Sequence, residues 1–306
     1  MSRARRDAAG GDAPPLRPGS ARRSVPRALF AALRPHQWLK NALLGVAAVF
    51  SRRLLQPGVP ARLALALLSY CALASAVYVW NDLRDRERDR LHPRKCRRPF
   101  AAGELSPGSG VALMALGLLT GLLAAVPLGS GFLAAAGVYL LVTLAYNAGL
   151  KAAAGLELLL VAAGYVVRVW AGALAVPVPA SGWLLGVAAA SALLLITGKR
   201  LAECATLGAA RGAHRAVLGQ YSQGFLRTLT VLTAGATLAL YAAYTLRAPT
   251  AHLVLTLPAV AGGIGRYLQL ALTNPAAVDP DGGLLSDPVL LTAGGLWLLA
   301  SLWLLR

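Results

Sequence analysis

The chain has 306 residues, of which 57% are hydrophobic and 14% are charged, and its formal net charge is +18. So apolar a composition excludes an ordinary soluble domain and indicates an integral membrane protein. An excess of Lys and Arg in such a protein sets topology and attracts anionic head groups or phosphorylated ligands. Nucleic acid is not expected as a partner, because the sequence shows neither a basic groove nor a nucleic-acid-binding fold.

The N-terminal residues differ from the rest of the chain. Residues 1–30 are rich in Arg, Ala, Pro and Gly and lack apolar periodicity. We predict a disordered basic cytoplasmic tail here, followed by a transmembrane catalytic domain over residues 31–306. Cys71, Cys96 and Cys204 have no paired or metal-type spacing, so no disulfide framework is expected.

Apolar runs long enough to cross a bilayer, about 17 to 25 residues each, occur nine times. The predicted spans are 36–55, 62–81, 110–128, 131–150, 155–176, 182–199, 225–246, 250–272 and 287–305. The sequence therefore predicts an all-α integral membrane protein with about nine transmembrane helices. Abundant Gly and Ala in these runs permit close helix packing, within one chain or in a homo-oligomer.

The distribution of charge orients this bundle. If the N-terminus lies inside, the even-numbered loops hold the basic residues of 84–98, Lys151 and those of 199–215, whereas the outer loops hold few. This pattern obeys the positive-inside rule. We therefore expect a multi-pass protein of the plasma (inner) membrane, in which loops 82–109 and 199–224 form a polar active-site cap on the cytoplasmic side.

A row of carboxylates follows the second span. Asp82, Asp85 and Asp89 have the spacing i, i+3 and i+7, so on a helix they share one face, with Asn81 at its edge. Crowded carboxylates repel one another unless a cation lies among them, and hard oxygen ligands beside many basic residues suit Mg²⁺ and a phosphorylated substrate. The alternative is a solvated, salt-bridged helix end, since arginines alternate with the acids over 84–90. The position at the end of a membrane span favours function.

Other polar residues lie at membrane depth or at its edge, where charge is costly and usually functional. Each has a structural alternative as well. Residues 199–203 fit a surface network at i,i+3 and i,i+4, and Tyr146 and Lys151 fit ordinary interface anchors. Glu157 and Arg168 share a helix face but are about three turns apart, too far for a direct pair. The candidate substrate-binding residues are Asn81, Arg34, Lys40, Lys95, Arg98, Tyr146, Lys151, Glu157, Arg168, Lys199, Arg200, Glu203 and Arg266.

Several of these residues belong to motifs. Asn81-Asp82-x-x-Asp85-x-x-x-Asp89, followed by Arg98-Pro99 and Gly103, resembles the first aspartate-rich motif of the UbiA superfamily of intramembrane prenyltransferases. The stretches Arg34 to Asn41 and His92-Pro93-x-Lys95-x-x-Arg98-Pro99 look like its decaprenyl-phosphate phosphoribosyltransferase branch. Further matches are Tyr146-x-x-x-Leu150-Lys151, Gly164 to Arg168 with Ala171-Gly172, Gly198-Lys199-Arg200-x-x-Glu203 and Arg266-Tyr267. The resemblance runs from about Leu33 to the C-terminus.

The sequence departs from the family's pattern in two places. Where the family often has a second pair of aspartates, this chain offers Glu157, Lys199 and Arg200. That change disfavours a second metal clamp and suits direct recognition of phosphate groups. The loop from Asp279 to Asp287 lacks the additional acids associated with the branch.

The resemblance implies transfer of 5-phosphoribose from phosphoribosyl pyrophosphate to a polyprenyl (decaprenyl) phosphate, in the supply of cell-wall arabinan precursors. Asn81, Asp82, Asp85 and Asp89 would hold Mg²⁺ on the diphosphate, and the three aspartates would be catalytic. The bases expected on the sugar substrate's phosphates are Lys95, Arg98, Lys151, Lys199 and Arg200, and those expected on the lipid phosphate are Arg34, Lys40 and Arg168.

Two other functions remain open at this point. One is a UbiA-type prenyltransferase that moves an isoprenoid from its diphosphate to an aromatic acceptor, although the missing second aspartate pair counts against it. The other is a transporter or lipid-binding membrane protein, which would be expected to show paired repeats with broken helices. No convincing internal repeat is visible.

Overall fold

The computed structural model describes residues 23–92, 95–208, 212, 215–247, 251–278 and 286–305, and the regular secondary structure over these residues is entirely helical. Seven of the helices described there are long and apolar enough to cross a membrane, and an eighth apolar helix has 17 residues. The helices are α1 (Val25–Leu33), α2 (Val46–Phe50), α3 (Val59–Arg84), α4 (Arg86–Arg90), α5 (Pro107–Ala125), α6 (Ser130–Ala148), α7 (Leu156–Ala175), α8 (Gly182–Leu207), α9 (Gln223–Arg247), α10 (Leu257–Thr273) and α11 (Pro288–Leu304).

The first predicted span, 36–55, is not a continuous helix, so the count of nine is not confirmed. The chain forms a 3-10 segment over Pro35–Gly45 and then the short helix α2. Pro35 explains the break, because a proline disfavours the helical conformation of the residue before it, and Arg34 has a left-handed φ of 53°. Helix α1 begins at Val25, earlier than the predicted domain boundary at residue 31.

Local sequence signals mark where several helices begin. Ser106 caps α5, where its Oγ accepts a hydrogen bond from the backbone N–H of Ser109 at 3.1 Å. Asp287 caps α11 in the same way, since its Oδ1 accepts from the N–H groups of Val289 and Leu290. In both helices a proline follows the cap, at a position where a missing N–H costs nothing.

The polar connections meet at one end of the bundle. There Arg84 at the end of α3 donates to the carbonyl of Asn147 at the end of α6, at 2.9 Å. At the opposite end Arg62 donates to the carbonyls of Leu128 and Ala175, which close α5 and α7. These arginines satisfy carbonyls that a helix end leaves without a partner.

Candidate active site

The acidic residues lie on a helical path with a kink. Helix α3 ends at Arg84 and α4 begins two residues later, with Asp85 between them at φ −90° and ψ 4°. The N–H of Asp85 donates to the carbonyl of Asn81 at 2.9 Å, and the N–H of Asp89 donates to the carbonyl of Asp85 at 2.8 Å. Asp82, Asp85 and Asp89 therefore follow one another along nearly continuous helix.

Two of the three aspartates share one arginine. Nη1 of Arg98 lies 3.1 Å from Oδ1 of Asp82 and 2.6 Å from Oδ2 of Asp89, and both carboxylates are buried. A second guanidinium, that of Arg34, donates to Oδ1 of Asp82 at 2.5 Å. These cations offset the repulsion between the carboxylates, because a buried charge is tolerated only with partners.

The third aspartate faces a different cation. Oδ2 of Asp85 lies 3.8 Å from Nζ of Lys151, in the connection between α6 and α7. Burial lowers the pKa of Lys151, Asp85 opposes that shift, and the positive charges of Arg84, Arg215 and Arg88 lower the pKa further. Basic groups thus outnumber acidic ones around Lys151, and such surroundings suit an anion such as phosphate.

One acid of this stretch matches the alternative of a solvated helix end. Glu87 is exposed and pairs with Arg86 and Arg90, at 2.7 Å in each case. The hydrogen bond from Arg86 is the main cause that lowers the pKa of Glu87. The charged stretch therefore has an outer face of solvent-exposed pairs and an inner face of buried carboxylates.

The fit of this stretch to a metal ion is partial. Within the described ranges, no three His, Cys, Asp or Glu side chains lie close enough to hold one. Asp82, Asp85 and Asp89 are therefore not gathered into one set of ligands. Asp82 and Asp89 nevertheless converge on one cationic nitrogen, and carboxylate oxygens are ligands that Mg²⁺ prefers. A divalent ion between them would replace the contact that Arg98 makes.

A second charged cluster joins α7 and α8. Arg200 donates to Glu157 through Nε at 2.8 Å and through Nη2 at 2.9 Å, and both side chains are buried. Arg200 also contacts Glu203 at 2.6 Å, which has the predicted i,i+3 spacing, but Arg200 is buried and the network is therefore not a surface one. Arg215 reaches Glu157 at 3.0 Å and Tyr146 Oη at 2.6 Å. The fork geometry satisfies both oxygens of Glu157 and fixes this cluster.

A cavity of about 1110 Å³ opens beside Asp82. Among the described residues, its charged and polar lining residues are Arg23, Arg34, His36, Gln37, Lys40, Asp82, Arg97, Arg98, Tyr165 and Ser191, and its apolar lining residues include Leu43, Val46, Phe50, Val169, Leu184, Leu195 and Trp297. The polar part holds five Lys or Arg side chains and a single carboxylate, so it suits an anion. The apolar part suits a hydrocarbon chain.

Ten of the thirteen predicted substrate-binding residues do not line this cavity, and two of these ten connect distant elements. Arg168 is buried, and its guanidinium donates to Asn41 Oδ1, to the carbonyl of Gly164 and to Tyr139 Oη. Arg266 pairs with Asp287 at 2.8 Å and so connects α10 to the start of α11. Arg168 therefore connects α7 to α6 and to residues 35–45, and Arg266 connects α10 to the residue that caps α11.

The remaining predicted residues lie near the site without lining the cavity. Lys95 begins a short 3-10 turn, and its backbone N–H donates to His92 Nδ1 at 3.3 Å. Lys199 is half-buried on α8, directly before Arg200. Asn81 is half-buried on α3, directly before Asp82. The loop 279–285 lies outside the described residues.

Sequence reasoning missed four residues that the structure brings in. Arg23, Gln37 and Arg97 line the cavity, and Arg215 completes the Glu157 cluster. Arg23 falls in what was predicted to be a disordered tail, and Arg97 looked like one more base in a charged run. The sequence did contain a signal for Gln37, because Gln37 is three residues from both Arg34 and Lys40. A spacing of three residues is the repeat of a 3-10 helix, so these side chains lie on one side of it.

Fold and site together define a class: a multi-pass membrane enzyme with carboxylates and bases at one end of a helical bundle, beside an amphipathic cavity. The chain belongs to the UbiA prenyltransferase family, whose model matches residues 42–281.

Comparison with individual proteins agrees with this assignment. The decaprenyl-phosphate phosphoribosyltransferase of Mycolicibacterium smegmatis is 32% identical, over 85% of this chain and 84% of that protein. The enzyme of the same name from Mycobacterium tuberculosis is also 32% identical, over 89% and 90% of the two chains. The structure of a UbiA homolog from Archaeoglobus fulgidus bound to GPP and Mg²⁺ superimposes with a TM-score of 0.70 and 18% identity, over 91% of this chain and 99% of that one. At 18% identity, this structural similarity shows the fold of the chain alone.

Proposed function

We propose that this protein transfers 5-phosphoribose from phosphoribosyl pyrophosphate to a polyprenyl phosphate and releases pyrophosphate, at the cytoplasmic side of the plasma membrane. The observation that carries the proposal is the cavity, whose lining combines the cationic side chains Arg34 and Arg98 beside Asp82 with many apolar side chains. A phosphate on a long hydrocarbon chain has the same two-part chemistry. The names of the relatives from Mycolicibacterium smegmatis and Mycobacterium tuberculosis support this choice of substrates.

The sugar substrate would bind along the acidic stretch, by which we mean residues 81–89. Asp82 and Asp89 would hold Mg²⁺, with Asn81 and Asp85 beside them, and the bound ion would neutralise charge on the diphosphate leaving group. Arg98, released from between the two carboxylates, would donate to diphosphate oxygens, since charge-assisted bonds from arginine to phosphate are strong.

The 5-phosphate of the sugar would lie on the other side of the acidic stretch, at Lys151. There Arg84, Arg88 and Arg215 add positive charge around the Lys151 ammonium group. Asp85, 3.8 Å from Lys151 Nζ, would orient that group. The two charged ends of the sugar substrate would thus be held by different bases, which leaves ribose C1 between them and open to attack.

The lipid phosphate would be the nucleophile. Arg34 and Lys40 line the polar part of the cavity and would place a phosphate oxygen towards ribose C1. A new bond forms between that oxygen and C1, while the bond from C1 to the diphosphate oxygen breaks and its electron pair leaves with pyrophosphate. The step needs no general base, because a phosphate monoester is already an anion at neutral pH.

The Glu157 cluster supports this reaction over prenyl transfer to an aromatic acceptor. Glu157 accepts hydrogen bonds from Nε and Nη2 of Arg200 and from Arg215, so its oxygens are already engaged. A second metal clamp would have to displace these arginines. The geometry therefore favours a single metal site on the acidic stretch.

The test uses purified protein in detergent with phosphoribosyl pyrophosphate labelled in the ribose, a polyprenyl phosphate and Mg²⁺. We expect label in the organic extract, its loss on addition of a chelator, and its return when Mg²⁺ is restored. Absence of lipid label from protein that elutes as a folded species would contradict the proposal. Consumption of an isoprenoid diphosphate with an aromatic acceptor would establish the alternative.

A further inference from the structure

The segment between α1 and α2 has an unusual conformation. Pro35–Gly45 is a 3-10 helix of 11 residues, whereas 3-10 runs longer than about four residues are uncommon. A 3-10 helix has about three residues per turn, so side chains three apart in sequence stack in a column. An α-helix would instead turn each such side chain by about 60° from the one before it.

One of these columns lines the cavity. We call five residues spaced three apart the cavity column, and all of them border the cavity: Gln37, Lys40 and Leu43 in the 3-10 helix, Arg34 directly before it, and Val46, the first residue of α2, directly after it. The column changes from polar to apolar along the chain, and Nζ of Lys40 donates to Oε1 of Gln37 at 2.5 Å within its polar part. At a rise of about 2 Å per residue, the 11 residues of the 3-10 helix extend over about 20 Å, roughly two thirds of a bilayer's hydrocarbon thickness.

A second column of the same segment is buried against α7. Asn41 and Leu44 are three residues apart, and both are almost fully buried. Oδ1 of Asn41 accepts from Nε of Arg168 at 2.9 Å. The carbonyl oxygen of Leu44 packs on Gly172, so closely that a Cβ at Gly172 would lie 2.1 Å from it. Helix α7 thus holds the segment at two points.

The guanidinium of Arg168 is itself held in place. It donates to the carbonyl of Gly164 at 2.7 Å and to Tyr139 Oη at 3.1 Å, and it lies 4.7 Å from the centre of the Tyr139 ring. These contacts come from α6 and α7, outside the 3-10 segment. Arg168 is therefore a fixed point to which Asn41 is attached.

We infer that Arg168 and Gly172 are positioning residues for the lipid substrate: they keep Pro35–Gly45 in the 3-10 conformation that aligns the cavity column with the head-to-tail axis of a polyprenyl phosphate. The inference rests on the proposed function. The phosphate lies at Arg34 and Lys40, and the first isoprene units lie at Leu43 and Val46. The family match begins at residue 42, so the polar half of the column lies outside it.

We call the contacts of Arg168 with Asn41 and of Gly172 with the Leu44 carbonyl the α7 brace. The test compares variants that remove one of these contacts with variants that keep both. Arg168→Gln and Asn41→Leu remove the side-chain contact, and Gly172→Ala pushes the Leu44 carbonyl away. Asn41→Asp keeps an acceptor oxygen for Arg168. Gly137→Ala on α6 is the matched control, because an added Cβ there meets nothing within 4 Å. For each protein, kcat and the separate KM values for polyprenyl phosphate and phosphoribosyl pyrophosphate are measured, together with equilibrium binding of radiolabelled lipid.

We expect the three brace-releasing variants to raise the lipid KM about tenfold or more, because small misplacements of contacts weaken substrate positioning strongly. The KM for phosphoribosyl pyrophosphate should stay within about twofold, as should all constants of Asn41→Asp and Gly137→Ala. An unchanged lipid KM, or an equal rise in both KM values, would overturn the inference.

A variant on the column itself covers the case in which a brace-releasing variant does not fold. Leu43→Trp leaves Arg168, Asn41 and Gly172 in place and fills the start of the apolar part. It should raise the lipid KM for long and short polyprenyl phosphates alike, and an unchanged lipid KM would contradict the inference. Wild-type protein that neither binds nor modifies the lipid would instead overturn the proposed function.

Discussion

Two charged clusters lie at the same end of the bundle and use the same residue types differently. In the acidic stretch, Asp82 and Asp89 share Arg98, whose side chain is 26% exposed beside the cavity. In the other cluster, Glu157 and Arg200 are 0% and 2% exposed, and Arg200 donates to Glu157 through Nε and Nη2 and to Glu203 through Nη1. Asp82, Asp89 and Glu157 are all buried, but Arg98 borders the cavity whereas Arg200 is enclosed. We therefore propose that access to the guanidinium, rather than residue type, distinguishes a binding role from a structural one.

The largest effect that we expect concerns stability. Glu157→Gln leaves the buried guanidinium of Arg200 without its main counter-charge, and breaking a buried ion pair in this way costs about 3–5 kcal/mol. Thermal unfolding followed by size-exclusion chromatography should show a large drop in Tm. The double variant Glu157→Gln/Arg200→Met should recover part of the loss, because it removes the uncompensated cation. A wild-type Tm for the single variant would show that this cluster is not a structural brace.

The next effect concerns turnover. Asp82→Asn removes the carboxylate that Arg34 and Arg98 share, and we expect lipid-label formation to fall by more than about 100-fold, as for other groups that stabilise transition-state charge. Glu87→Gln is the matched control, since it makes the same chemical change on the exposed face of the same stretch. Its turnover should equal that of the wild type. Comparable losses in both variants would remove the distinction between the inner and outer faces.

The smallest effect concerns pH. Burial and neighbouring arginines lower the pKa of Lys151, so this residue loses its proton at a lower pH than an ordinary lysine does. Because only the ammonium form attracts phosphate, affinity for phosphoribosyl pyrophosphate should fall on the alkaline side. Arginine keeps its charge throughout this pH range, so Lys151→Arg should move the alkaline loss of affinity to higher pH. Its KM for phosphoribosyl pyrophosphate at pH 7 should be within about threefold of that of the wild type. Identical pH profiles would exclude Lys151 from the sugar site.

The comparison of predicted and observed spans shows what a hydropathy pattern can and cannot predict. Eight of the nine predicted spans correspond to helices of the structure, because long apolar runs must satisfy their backbone groups internally. The prediction of a first continuous helix over residues 36–55 was wrong for a local reason. Pro35 and the left-handed Arg34 start a 3-10 segment, and hydropathy does not distinguish a period of about 3.0 from one of about 3.6.

The sequence by itself determined the membrane class, the row of aspartates from the end of α3 into α4, and the family, since these depend on composition and on residues that are close in the chain. Only the tertiary structure decided which side chains the arginines contact. Arg34 meets Asp82 across 48 residues, Arg215 meets Glu157 across 58, and Arg168 meets Asn41 across 127. Such pairs form because helix packing brings distant segments together, and a buried polar group, here Asp82, Glu157 or Arg168, needs a partner within reach.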